Sequence, residues 1–419
     1  MKPSFILGLI YFSALQTWAQ EANENESGFR EKLATKGVEA GFVYSAMPVF
    51  NVKGGIERGA RYIDNVDLTL NLNLEQLVGA NGLSFFIYGL GNNGGFATEL
   101  IGDVQTVSNI EAHPTWKLYE LWAQQNFFKD QVSLLAGLYD INSEFDVVKP
   151  GLLFTHSSYG MGAELAQTGL NGPSTFPYTS LAARVAFDIK DRVNFLVAIL
   201  DGVPGDPNDP EGTHIRLSRD EGALIMAQAN INLGKDVFLT SSGSREAGTI
   251  RRKLVGRGIQ QPNFNQFIIG AWRYTAAFRQ LESEQFRMGN QGIYVAYQRY
   301  IYLNSERDKY FTGFLRLGLA DGRFNRFSSA LSGGLLYAVP FLGIPNQFGM
   351  AFSTAFNGNH YMRTVAANKK AETNIELTFS RNIKPFLAVQ PSFQYVINPG
   401  TDPNLSNASV LLLLVQIEI

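Results

Sequence analysis

The closing stretch of the sequence decides what the rest of it can be. From Ala408 to Ile419 the residues are almost continuously apolar, and the run reaches the final residue. An unprotected apolar strand of that length pairs with other chains, so a stable fold must cover it. A sheet whose first strand pairs with its last removes the edge altogether. The segments just before it have the pattern such a wall needs. Ile375, Leu377 and Phe379 alternate with Asn374, Glu376, Thr378 and Ser380. After a turn at residues 381–384, Leu387, Val389, Phe393 and Tyr395 alternate with Gln390, Ser392 and Gln394. A period of two gives each strand one apolar and one polar face.

The purest example lies far upstream. Between Val66 and Leu74 every even residue is apolar and every odd one is polar. That length fits a membrane strand of about 9–11 residues with one face in lipid and one in water. Sixteen segments share the pattern: residues 37–48, 66–74, 83–91, 118–128, 132–139, 180–188, 193–200, 223–233, 264–278, 292–302, 310–320, 327–339, 347–355, 373–380, 385–396 and 408–419. A seventeenth, Asp236 to Gly243, has the weakest alternation. It is not counted, because single-chain bacterial barrels carry an even number of strands. Links are short at 129–131, 190–192 and 381–384. They are long and rich in Gly, Pro and Asn at 91–117, 140–179, 201–222 and 234–263. Short turns on one rim and long loops on the other are the expected asymmetry of a membrane barrel.

The fold class is therefore all-β: a transmembrane antiparallel up-and-down β-barrel of about sixteen strands over residues 37–419. A segment at 20–36 precedes it, with a short helix expected from Gly28 to Lys36. Residues 1–19 read as a signal peptide: Lys2, an apolar run from Phe5 to Leu15, then Thr17-Trp18-Ala19. Export of a strand-built membrane protein points to the outer membrane of a Gram-negative bacterium. Tyr62, Phe127, Phe187, Trp272, Tyr274, Tyr297, Tyr337 and Tyr395 stand near strand ends, where girdle aromatics meet lipid headgroups.

Composition removes several functions. Lys and Arg (35) nearly cancel Asp and Glu (37), and no basic cluster offers phosphate contacts, which argues against a nucleic-acid partner. There is no cysteine, hence no disulfide-stapled fold and no thiol-based metal or redox site. His113, His156, His214 and His360 show no ligand spacing, and no cofactor or metal is expected. Gly89-Leu90-Gly91-Asn92-Asn93-Gly94 matches a dinucleotide fingerprint by pattern, yet no βαβ unit surrounds it, and a glycine-rich loop is the better reading. His156-Ser157-Ser158 sets a base beside a nucleophile, but adjacent residues seldom reach the required geometry. The chain is not expected to be an enzyme.

Several blocks resemble the carbohydrate-selective outer-membrane porins of the OprB type. They are Glu120-Leu121-Trp122, the run from Gly137 to Phe145, Thr155 to Gly160, Leu200 to Gly205, Glu221 to Leu224, Gly270-Ala271-Trp272 and, most specific, Val389 to Gly400. The resemblance implies a sixteen-stranded barrel, commonly a homotrimer, that passes monosaccharides and related small sugars by diffusion.

Strand parity supplies the inward set: Asp67, Asn71, Asn73, Glu120, Trp122, Gln124, Arg184, Gln228, Asn230, Arg316, Glu376, Gln390 and Gln394. Its mixed signs suit a neutral polar solute. Glu120, Trp122, Arg184, Arg316 and Glu376 are the expected sugar-pathway residues near the constriction. The loop from Asp140 to Thr179 is expected to fold inward. The rival readings are an unspecific or anion-preferring pore, an outer-membrane barrel hydrolase and a secreted soluble carbohydrate-binding β protein.

Overall fold

The computed structural model describes residues 28–419 apart from 29, 31, 190–191, 214, 216–217, 235–263, 284, 342 and 366–367. The expected signal peptide, residues 20–27 of the segment that follows it, and Asp236 to Gly243 lie outside the described residues. Residues 28, 30 and 32–34 are helical.

The alternating segments form long strands: β1 (Val38–Gly55), β2 (Gly59–Asn73), β3 (Leu83–Gly94), β4 (Thr115–Phe127), β5 (Val132–Tyr139), β6 (Ser180–Ile189), β7 (Val193–Asp201), β8 (Ala223–Asn232) and β9 (Gln266–Tyr274). A two-residue hairpin follows, β10 (Phe278–Arg279) with β11 (Phe286–Arg287). The wall resumes with β12 (Gln291–Leu303), β13 (Tyr310–Ala320), β14 (Phe327–Phe341), β15 (Ile344–Asn357), β16 (Ala371–Lys384), β17 (Leu387–Ile397) and β18 (Ser406–Glu418). All but β10 and β11 make one closed barrel of neighbouring antiparallel strands, with β9 beside β12 and β18 back on β1. At the seam Val43 lies opposite Glu418 and Phe50 opposite Leu411. Phe42 and Ile419 exchange both backbone hydrogen bonds, 2.9 and 3.0 Å. The terminal apolar strand is thus paired on both sides.

Three expectations need correction. The glycine-rich Gly89 to Gly94 belongs to β3, not to a loop. Trp116 of β4 lies against Gly91, where a Cβ would come within 2.7 Å of the indole. Second, Trp272 and Tyr274 are not girdle residues: even positions of β9 point inward, and both side chains are buried. Third, the ends of β8 and β9, between which the expected long link at 234–263 falls almost wholly outside the described residues, lie at the rim of the short turns. Each strand reverses direction, so every second link returns to the rim that holds the termini, whatever its length.

Parity sorts the faces as lipid and water require. Leu68, Leu121, Leu134, Val197, Ile269, Leu315, Leu377 and Leu411 point outward and are exposed. The inner face is not uniformly polar. Ala182 and Ala186 of β6, Leu196, Ala198 and Leu200 of β7, Leu224 and Met226 of β8 and Ile268 of β9 are buried there in one apolar cluster. The same cluster takes in Ile141, Phe145, Val148, Leu153, Phe154, Tyr159, Met161 and Leu165 of the loop at 140–179, and it continues onto β12 to β15 through Tyr294, Phe314, Leu336 and Ala351. A hydrophobic core sits inside the barrel, against the wall from β3 to β15.

Outward exposure therefore means contact with hydrocarbon. Replacing Leu315 at the middle of β13 by arginine is expected to lower stability by about 2–4 kcal/mol in bilayer unfolding titrations. A change near zero, as for an exposed leucine on a soluble protein, would contradict the lipid-facing assignment.

Candidate functional site

Among the described residues, two loops enter the barrel. The first, residues 140–179, carries short 3-10 turns at Ile141–Ser143, Lys149–Leu153 and Ser157–Tyr159, then a one-turn helix at Ala163–Ala166. Asp140 starts it: one carboxylate oxygen accepts the Asn142 N–H (2.8 Å), the other the Tyr119 hydroxyl (2.7 Å). The second loop, residues 95–114, was not expected to enter. Its Ala97, Leu100, Ile101 and Val107 pack on Met47, Val49, Ile63, Val396, Val410 and Leu412, the inner wall around the seam. The loops also bind each other, through Asn109 N to Thr155 O (2.8 Å), Ser157 N to Thr106 O (3.1 Å) and Ser158 Oγ to Gln105 Oε1 (3.0 Å).

The five expected pathway residues all point inward, and each is buried between wall and loop. Arg316 of β13 donates to Asp146 from Nε and Nη2, both at 2.7 Å, and to Glu164 from Nη2 and Nη1, at 2.7 and 3.1 Å. One guanidinium thus holds two loop carboxylates in fork geometry. The approach requires glycine on both sides. A Cβ on Gly162 would fall 2.0 Å from the guanidinium, and one on Gly318 would fall 1.8 Å from Glu164. Arg184 of β6 donates to Glu144 (2.7 Å) and to Gln124 (2.8 Å). Glu376 of β16 is fully buried and accepts from Thr155 N, Thr155 Oγ1 and His156 N, at 2.9, 2.9 and 3.1 Å. Glu120 of β4 accepts from Trp122 Nε1 (3.0 Å) and Asp140 N (3.2 Å). Trp122 stacks on Phe86 with ring centroids 4.9 Å apart.

Neutral amides complete the attachment. Gln228 accepts from Asp146 N (2.8 Å), Gln298 accepts from Lys149 N (2.9 Å) and Gln390 donates to Leu153 O (2.6 Å). Gln394 donates to Val107 O on the second loop (2.8 Å). Glu372 takes Val104 N, Gln105 N and Gly400 N, at 3.0, 3.0 and 2.6 Å. Strand parity had marked Gln228, Gln390 and Gln394 as inward. Gln298, Glu372 and the loop acids Glu144, Asp146 and Glu164 were missed. Gln298 and Glu372 sit at inward parity on their strands and could have been found; the loop acids carry no periodic signal.

Beside Glu372, Asp103 is buried with neither carboxylate oxygen hydrogen-bonded. Burial first, then the charges of Glu372 and Glu111, hold its carboxyl well above the usual range. The His-Ser pair makes no nucleophile. His156 Nδ1 accepts the Ser158 N–H (3.3 Å), burial pushes its imidazole down to about 3, and Ser157 Oγ donates to Ser108 O (3.1 Å).

Residues 57–418 match the family described as carbohydrate-selective porin, OprB family. The chain is 21% identical to Porin B of Pseudomonas aeruginosa, over 93% of this chain and 89% of that protein. Among solved structures, the high-pH structure of Pseudomonas putida OprB superposes with a TM-score of 0.78 at 18% identity, covering 94% of this chain and 97% of that one. The low-pH structure of the same protein superposes with a TM-score of 0.58 at 15% identity, over the same shares.

Removing one partner of a buried ion pair costs about 3–5 kcal/mol, because the other charge is left uncompensated. Arg316→Ala strands two carboxylates. The variant is expected to keep the heat-modifiable gel migration of an intact barrel while the loop at 140–179 becomes cleavable by protease. Its single-channel conductance should rise. Wild-type protease resistance and conductance would show that the guanidinium does not hold the loop.

Proposed function

The chain belongs to the OprB family of carbohydrate-selective porins and is a sugar-selective channel of the outer membrane; from that premise we propose that it passes mono- and small oligosaccharides by passive diffusion, with no catalytic step. The observation that carries the proposal is a sixteen-strand closed wall with two loops fastened inside it. Such a barrel leaves an aqueous channel unless loops narrow it. Here the loops narrow it, and they are fixed by buried bonds that do not depend on the solute.

Glu120, Trp122, Arg184, Arg316 and Glu376 then act on the pathway indirectly. They position the constriction, while the exposed polar atoms of loop and wall meet the sugar. The charges of Arg184 and Arg316 are matched by Glu144 and by Asp146 with Glu164. Arginines held by carboxylates in this way offer no free cation to the solute, which suits a neutral hydroxylated one better than an anion. Liposome swelling with sugars and amino acids of matched size tests this: sugars are expected to enter faster, and equal rates would reduce the protein to an unselective pore.

We propose a homotrimer as well, and the outer face near the seam supports self-association. The Tyr44 and Tyr62 hydroxyls share a hydrogen bond of 2.6 Å, Tyr44 also reaches Asp64 at 3.4 Å, and Asn93 Nδ2 donates to Asp64 at 3.1 Å. All four stand at outward parity on β1 to β3. An outward carboxylate in hydrocarbon is costly, and a second copy of the chain covering it removes that cost. Light scattering in detergent should give a three-chain mass for the native protein and a smaller one for Asp64→Arg. A single-chain mass for both would overturn the assembly.

A further inference from the structure

On the opposite side of the barrel the outer wall is hollow. A groove of about 660 Å³ is lined by Ile225 and Ala227 of β8, Ala271 and Arg273 of β9, Gln291 and Ile293 of β12 and Leu319 of β13. The register explains it. Ala227 lies opposite Ala271, Ala271 opposite Ile293, and Ile293 opposite Leu319. Two neighbouring alanines at outward parity therefore leave a trough between Ile225 on one side and Ile293 with Leu319 on the other. Two residues further along β9, Arg273 stands between Ile225 and Gln291.

Direction along the strand sets the depth. β9 ends at Tyr274 on the rim opposite the termini, so Arg273 occupies the outward-facing end of the wall at headgroup level, and the trough runs from it into the hydrocarbon. Among the described residues no ion pair or side-chain hydrogen bond engages Arg273. Asp321, at the groove's edge, is held by Arg323 at 2.6 Å. One positive charge is left over. The two-residue hairpin between β9 and β12 adds Phe286, Arg287 and Met288, all exposed at the same rim.

We propose that this groove holds one phosphorylated lipid of the outer leaflet, with an acyl chain against Ala227 and Ala271 and a phosphate on the Arg273 guanidinium. An apolar trough fits an acyl chain, and a planar guanidinium at its mouth fits a phosphate in bidentate geometry. A second copy of the protein is the weaker occupant. The outward polar cluster at β1 to β3 lies six to eight strand steps from β9 in the ring, on the far side, so a trimer built there leaves this face in lipid.

The test is native mass spectrometry of the purified protein in detergent, with bisphosphorylated lipid A and the same lipid stripped of both phosphates as probes. One bisphosphorylated lipid is expected to stay bound to the native protein, and the dephosphorylated one to be lost. Arg273→Gln and Ala271→Trp should each reduce the bound fraction at least about tenfold, and Arg273→Lys less. Arg299→Gln, an outward arginine near the opposite end of β12, should leave it unchanged. Heat-modifiable migration checks that each barrel is closed. Equal retention of both probes, or retention unaltered by Arg273→Gln, would leave only unspecific annular lipid and overturn the site.

Discussion

Hydrocarbon offers no partner to a backbone N–H or C=O, and that absence governs this molecule. Every strand in the bilayer must have a neighbour on both sides, so the ring has to close. Closure is made by β1 on β18, with Phe42 and Ile419 as the last pair. No local preference of those two segments dictates the pairing. It follows because each has one edge already used, by β2 and by β17, and the only other free edge is its mate's.

Once the wall is closed, the interior becomes the one place where a loop can be both covered and wet. The loop at 140–179 uses this by offering both apolar and polar side chains to the wall, Phe154 to Phe314 of β13 and Glu144 to Arg184 of β6. Its backbone groups are then matched to inward side chains of the wall, as Thr155 and His156 are to Glu376. Burial of so many charges is tolerable only in compensated sets. Arg316 with Asp146 and Glu164 is the most demanding of them, since removing any member leaves the rest in a low-dielectric place. Such a set adds little net stability compared with apolar packing. It does specify where the loop goes.

The sequence displays the wall far better than its contents, for a physical reason. Lipid on one face and water on the other act on each residue according to its parity alone, so Val66 to Leu74 announces itself without knowledge of its neighbours. The same parity put Arg184, Arg316 and Glu376 on the inner face. It could not show that Arg316 meets partners 170 and 152 residues earlier in the chain. Nor could it show that Leu196, Ala198 and Leu200 face inward under a loop, because an apolar run with both faces covered has no alternation to read. Trp272 and Tyr274 were misassigned by their place near a strand end, although their even numbering, shared with the inward Ile268, held the correct answer. The length of the 233–265 link was likewise a poorer guide to its rim than counting strands.

The separation of wall from constriction has a consequence for how such a channel can change. The outer face answers to the membrane and the inner face to the loops, and alternate residues of one strand serve the two demands independently. Leu315 and Leu317 touch hydrocarbon while Arg316 between them holds the loop. Exposed loop atoms meeting the solute can therefore vary without disturbing the ladder, provided the anchors persist. The glycines at 162 and 318 mark the limit of that freedom. They are small because a guanidinium and a carboxylate must pass where a methyl group would stand. A selective aperture is thus held by bonds hidden from the solute it selects.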